Sequence, residues 1–210
     1  MTTIDERTRN TTAIKIVDAA AHLFMQRGYR AVSINDIVSA AEVTKPTLYY
    51  YFPDKEALFV QMCLRLLERM HERMVDAMSR NTGFENRLVA LARVVIGVQE
   101  GDMRMMRQEM QEHLAPEQQR KLGQAFYNHL FQPVQRVLQQ GIDEGTITDY
   151  NAQQLTWLFL GMSETFHWEN NRPTSMAAHA YREEQGKSAL FSPEAMVRFF
   201  LHGVATKTQE

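Results

Sequence analysis

At 210 residues the chain is long enough to bury a core without cross-links, and its single cysteine, Cys63, excludes an internal disulfide and fits a reducing compartment. No apolar run approaches the roughly 20 residues that span a bilayer, and the opening MTTIDERTRNTT lacks an apolar segment of the signal-peptide kind, so the expected setting is the cytoplasm with no membrane partner. The formal charge is −2, and residues 1–55 carry seven Lys and Arg against six Asp and Glu, so charge alone does not point to nucleic acid.

The hydrophobic pattern is helical nearly throughout. Ala13, Ile16, Val17, Ala20 and Phe24 form the stripe of a first amphipathic helix, which Gly28 ends. Ser33 caps a short second helix with an apolar face of Ile34, Ile37, Val38 and Ala41. Thr44 caps a third, in which Pro46 falls in the first turn, where its missing N–H breaks no intrahelical bond. Pro53 pushes Phe52 out of the α region, so this helix is only about two turns long. The run TKPTLYYYFPDK (44–55), with three consecutive tyrosines, is therefore read as helix rather than strand.

A fourth helix is predicted from about Asp54 to Arg80, with Phe59, Cys63, Leu66, Met70, Met74 and Ala77 on one face. At ~1.5 Å per residue it reaches about 40 Å. Further helices are predicted near 84–99, 102–113 and 116–140, the last kinked at Pro133. GIDEGTITD (141–149) connects to an apolar helix over 151–170, residues 171–191 are irregular with one short helix around 176–184, and Ser192 and Pro193 start a final helix. The expected fold is all-α, with no strand.

Two short helices joined by the turn AEV (41–43) form a helix-turn-helix pattern under the first helix. The stretch FMQRGYRAVSINDIVSAAEVTKPTLYYYFPDKEALF (24–59) resembles the TetR family of transcriptional regulators: an aromatic then Gly-Tyr closing helix one, a small polar cap before Ile-x-x-Ile, then Val-x-x-x-Thr-Leu-Tyr-x-Tyr-Phe and Lys-Glu-x-Leu. The resemblance implies a three-helix DNA-binding head over 1–53 and a larger helical ligand-binding and dimerisation domain over 54–210. It also implies a homodimer, a double-stranded operator of palindromic form and a small-molecule effector, with no cofactor.

A helix entering the major groove presents its N-terminal residues to base edges, here Thr44, Lys45, Pro46 and Thr47. Lys45 can donate to guanine O6 or N7, and the Pro46 ring and Thr47 suit a thymine methyl. Tyr49 and Tyr51, about 200° apart on the helix, can straddle the groove and reach opposite phosphate strands. Leu48 and Phe52 anchor the helix inward, and Tyr50 is left open. Lys55 is expected to reach a phosphate, as is the N-terminus of helix two at Ser33, with Asn35 beside it. The resemblance likewise implies DNA contact at Ser33, Lys45, Pro46, Thr47, Tyr49, Tyr51 and Lys55.

In the larger body, Leu155, Leu158, Met162 and Phe166, with Met196, Phe199, Phe200 and Gly203, form two apolar stripes that the resemblance assigns to a dimer interface, some of them serving equally as core. Met103, Met106 and Met110, with Phe126, Tyr127, Leu130 and Trp157, would line an adaptable, largely apolar effector pocket, near which Arg104 and Arg107 could meet an anionic group. The expected sign is repression, and an activator would carry the same head. A rival from another class is a di-metal carboxylate enzyme, because Glu68-x-x-His71 and Glu164-x-x-His167 both have the Glu-x-x-His spacing. With 17 Glu and 7 His, such matches arise readily by chance. The expected function is a DNA-binding regulator and not an enzyme.

Overall fold

Side-chain caps and two prolines set the helix boundaries of the N-terminal third. The computed structural model describes residues 4–97, 103–148, 150–171 and 191–204. Helix α1 (Ile4–Arg27) ends where Gly28 takes φ +79°, a left-handed backbone whose N–H donates to Phe24 O at 2.8 Å. Ser33 opens α2 (Ile34–Ala40): its Oγ accepts from Asp36 N–H at 3.2 Å, and the Asp36 carboxylate accepts from Ser33 N–H at 2.8 Å. Thr44 opens α3 (Lys45–Tyr51) by accepting from Thr47 N–H at 3.3 Å. Phe52, extended at φ −132° and ψ 113°, closes α3 ahead of Pro53. The tyrosine run is helical, as its flanking residues dictate.

The chain divides into two compact units. The first comprises Met1–Glu68 and Glu100–Ala125. In it α1, α2 and α3 pack on one another, and residues 55–68 of α4 (Lys55–Ser79), α6 (Met103–His113) and nearly all of α7 (Pro116–Phe126) complete the unit. Ile16, Val17, Ala20 and Phe24 of α1, Ile37 of α2, Leu48 of α3, and Leu58 and Phe59 of α4 are its buried core. Phe24 meets Phe59 edge-on at 5.4 Å, and Tyr29 lies 5.0 Å from Phe59.

The second unit comprises Arg69–Gln99 and Phe126–Glu210. Here α5 (Phe84–Ile96) packs against α8 (Gln132–Asp143), α9 (Ala152–Asn171) and α10 (Pro193–Val204). Asn151 Oδ1 caps α9 by accepting from Gln153 N–H at 2.8 Å, and Ser192 Oγ caps α10 by accepting from Ala195 N–H at 3.0 Å. The expected short helix at 176–184 falls outside the described residues. Among the described residues no helix is long and apolar enough to cross a membrane.

One predicted helix is built differently. Instead of a single kinked run over 116–140, α7 gives way to a π-helical turn (Tyr127–Phe131) that leads into α8. Pro133 has no N–H for the carbonyl of His129, four residues back, and the wider turn closes through Gln132 N–H on Tyr127 O. His71 Nδ1 lies 3.2 Å from that same His129 oxygen, and as the donor tautomer it supplies the missing hydrogen bond.

Helix α8 also carries Gly141, where a Cβ would fall 2.6 Å from the buried Phe84 ring. Alanine normally favours a helix over glycine by roughly 1 kcal/mol. At this site Gly141→Ala is expected to destabilise the protein by about 1–3 kcal/mol instead, because the ring must move. Urea unfolding measures the sign, and a stabilised variant would show that the α5–α8 contact is looser than described.

Candidate nucleic-acid interface

Leu48 is fully buried and Phe52 nearly so, which fixes the inward edge of α3. At about 100° per residue, Tyr49 and Tyr51 then lie roughly 80° to either side of that edge. Pro46, Thr47 and Tyr50 occupy the arc between them on the outer side, Tyr50 directly opposite the core. Exposure follows this geometry, with Tyr50 at 64% and Tyr49 at 49%, while Tyr51 is half-buried. The Tyr50 ring stands edge-on to Tyr51 at 5.0 Å, and Tyr51 lies 6.3 Å from Phe52. Tyr50, which the sequence reading left open, is thus central to the outer face; the signal that locates it is its half-turn offset from Leu48 and Phe52.

At the start of α3, Thr44, Lys45 and Pro46 are exposed and Thr47 is half-buried. The Thr44 and Thr47 hydroxyls are 2.8 Å apart, so one donates to the other. Asn35 is exposed on α2. Ser33 is less available than its sequence position suggests: its N–H and its hydroxyl both engage Asp36, the hydroxyl at 2.5 Å from the carboxylate. Those hydrogen bonds, the side-chain one foremost, hold the Asp36 carboxyl below the usual range. A carboxylate therefore already stands where a phosphate was expected.

Lys55 turns inward. Its ammonium donates to Tyr29 O at 2.9 Å and Val32 O at 3.0 Å and sits 4.2 Å from the Tyr29 ring centroid. Burial pushes its pKa down, against an upward pull from Glu109. It fastens the start of α4 to the segment between α1 and α2, a role that spacing alone does not reveal.

The effector candidates fall into both units. Met103 and Met106 lie on α6 with their side chains outside the described residues, and Met110 is half-buried on the same helix in the first unit. Leu130 is buried in the second unit, where Trp157 lies 6.1 Å from Phe126 and 4.8 Å from Phe131, and Tyr127 stacks on Phe131 at 5.6 Å. Trp157 and Tyr127 are exposed, so this aromatic group is a surface cluster and not the enclosed lining expected. The second unit has instead a cleft of about 380 Å³ between α4 and α5, bordered by Arg73, Asp76, Arg80, Asn81 and Arg93 over a floor of Ala77 and Ala90. Its sequence signal, Arg73 on α4 and Arg80 just past its end, reads as an ordinary solvated face.

The two expected dimer stripes divide in the same way. Leu155, Phe166, Met196 and Phe200 are buried inside the second unit, so they are core of the chain itself. Leu158 and Phe199 are exposed, Met162 is half-buried, and the surroundings of Gly203 lie outside the described residues. The apolar content of α9 exceeds one face, and spacing could not say which face was already covered.

Neither histidine of the two Glu-x-x-His pairs is placed as a ligand. His71 faces the His129 carbonyl, and His167 Nδ1 lies 2.9 Å from Ile96 O at the end of α5. Among the described residues no group of three or more His, Cys, Asp or Glu could hold a metal ion.

Residues 16–62 match the profile of bacterial regulatory proteins of the tetR family. The chain is 27% identical over 88 residues to the HTH-type transcriptional repressor NemR of Escherichia coli, a match covering 41% of this chain and 44% of NemR. It is 37% identical over 68 residues to the HTH-type transcriptional regulator RutR of the same species, covering 31% and 32%. The matched stretch thus spans less than half of either relative. Two solved structures share the fold over nearly the whole chain: E. coli NemR in its reduced form, with TM-score 0.71, 17% identity and coverage of 94% of this chain and 100% of that one; and a regulator from Saccharomonospora viridis in complex with choline, with TM-score 0.72, 20% identity and the same coverage. Residues 16–62 thus carry the helix-turn-helix segment characteristic of bacterial regulatory proteins of the tetR family, on an all-helical fold shared with these solved structures.

Proposed function

We propose that the protein is a cytoplasmic, dimeric, sequence-specific repressor that reads a palindromic operator with α3 and is released by a small molecule held in the helical body over 54–210. The observation that carries the reading is the outer face of α3, where Pro46, Thr47 and Tyr50 stand between Tyr49 and Tyr51 with Leu48 and Phe52 locked beneath. Lys45 and the outer face meet base edges, and Tyr49 and Tyr51 run along the two phosphate strands. Repression is favoured over activation because a dimer seated on a promoter excludes polymerase without further contacts, and the repressor among the relatives, NemR, is consistent with that sign.

Dimerisation uses the faces of α9 and α10 left uncovered in one chain. Leu158 and Phe199 provide the apolar contact, and Gly161, with open space around its α-carbon, lets a facing helix approach closely. The effector binds non-covalently: Cys63 is buried and burial pushes its thiol up to about 12, so it holds little reactive thiolate.

Tyr49→Phe removes one phenol and little else from an exposed position. It is expected to weaken binding to a selected operator duplex by about 0.5–1.5 kcal/mol while leaving the melting temperature nearly unchanged. Gel-shift titration and thermal unfolding check both halves, and a variant that melts early yet binds normally would remove Tyr49 from the contact set. For the dimer, the double variant Leu158→Arg and Phe199→Arg is expected to sediment as a folded monomer and to lose binding to a palindromic duplex. A dimer that survives both changes would place the interface elsewhere.

A further inference from the structure

Within the first unit, the end of α6 is fastened to the DNA-binding head by polar groups that the DNA-reading face does not use. Glu109 Oε1 accepts from Tyr29 N–H at 3.2 Å, close beside Gly28, where a Cβ would sit 3.0 Å from that oxygen. Gly28 thus both turns the chain and admits the carboxylate. The His113 ring stacks on Tyr29 at 5.6 Å with 25° between planes, and Glu56 Oε1 accepts from Ala115 N–H at 2.9 Å just past the end of α6. Tyr29 is therefore held by α6 through its N–H and ring, and by Lys55 through its carbonyl and ring.

One pair in this group is incomplete. Glu109 Oε2 and His113 Nε2 are 3.2 Å apart with side chains only 17% and 23% exposed, yet neither atom has an aligned hydrogen bond. Orphaned buried polar atoms are costly, and a proton on the imidazole would turn this one into a charge-assisted pair. Glu112 Oε2 lies 3.7 Å from His113 on the same helix. From the head side, Glu56, Asp54 and Lys55 are grouped about Tyr29, whose hydroxyl is pushed up first by burial and then by Glu56, Asp54 and Glu109. Lys55 is the opposing charge in this group, and it is engaged by the carbonyls of Tyr29 and Val32.

We propose that Glu109 and His113 are positioning residues for the DNA-binding head: they hold residues 29–33 through Tyr29, and proton uptake by the pair tightens that hold and raises operator affinity. Residues 29–32 lead directly into Ser33, the cap of α2, so a firmer Tyr29 presents α2 and α3 in one orientation instead of several. The inference rests on the assignment of α3 as the DNA-reading element. Linkage requires that if protonation favours the DNA-bound arrangement, DNA binding must take up protons to the same degree.

The test uses a duplex that the wild-type protein selects from a random pool, with binding measured near pH 6 and near pH 8, where imidazole side chains change charge. The wild-type protein should bind about five- to tenfold more tightly at the lower pH, the low end of such coupling. Glu109→Ala should lose about three- to thirtyfold at both pH values. Glu109→Gln keeps an acceptor for Tyr29 N–H, so it should recover binding near pH 8 but lose most of the pH step. His113→Gln should lose the step likewise. Melting temperatures are recorded throughout, and should Glu109→Ala fail to fold, the two glutamine variants decide. Wild-type binding by a folded Glu109→Ala, or an unchanged pH step in both glutamine variants, would overturn the proposal. If the wild-type protein selects no duplex, the DNA-reading assignment itself falls, an outcome separate from either of these.

Discussion

Burial of Leu48 and Phe52 beneath a two-turn helix is the constraint on which the DNA-reading face depends. Each such side chain contributes about 1.5–3 kcal/mol when removed from water, enough to fix the rotation of α3 about its own axis. Once that rotation is set, seven residues have no further freedom of direction: Tyr49 and Tyr51 flank the outer face, and Tyr50 points away from the core. The caps act in the same sense. Thr44 and Pro46 start the helix where the groove-facing residues begin, and Pro53 stops it before α4. A longer or less firmly seated helix would present the same side chains with no defined register.

Much of this was legible in the chain itself. Ser33, Thr44 and Ser192 each precede a helix and each caps it, and the stripe Ile16, Val17, Ala20, Phe24 is buried as its period requires. Local rules suffice because these features depend on neighbours within one turn. What was not legible depends on residues distant in sequence. Lys55 could be read as a phosphate contact because nothing nearby shows that the carbonyls of Tyr29 and Val32 claim it. Leu155 and Leu158 look alike in a periodic pattern, yet one is fully buried and the other more than half exposed. The π turn before Pro133 shows the same limit: the proline announces a disturbance, but the His71 contact to the freed carbonyl comes from a helix more than fifty residues earlier.

The polar group around Tyr29 joins these observations. Tyr29, just past the end of α1, receives a carboxylate and an imidazole from α6, a helix of the following segment that belongs to the same compact unit. The head is thus not finished at residue 53: its first loop is held by α6 as well as by α4. Such an arrangement gives events on α6 a physical route to the turn before α2, through one hydrogen bond and one stacked ring pair.

A head with little excess positive charge must grip DNA by other means, and this is the central claim. With Lys55 turned inward, Lys45 is the one cation that α3 itself supplies, and in the proposed reading phenols and threonine hydroxyls provide the rest of its contacts. The dependence of operator affinity on salt concentration measures this directly, because each neutralised phosphate steepens the slope of log K against log salt by about 0.9. The account expects a shallow slope, about −2 to −5 for the dimer on its duplex. A slope near −10, as for a strongly basic binder, would contradict it.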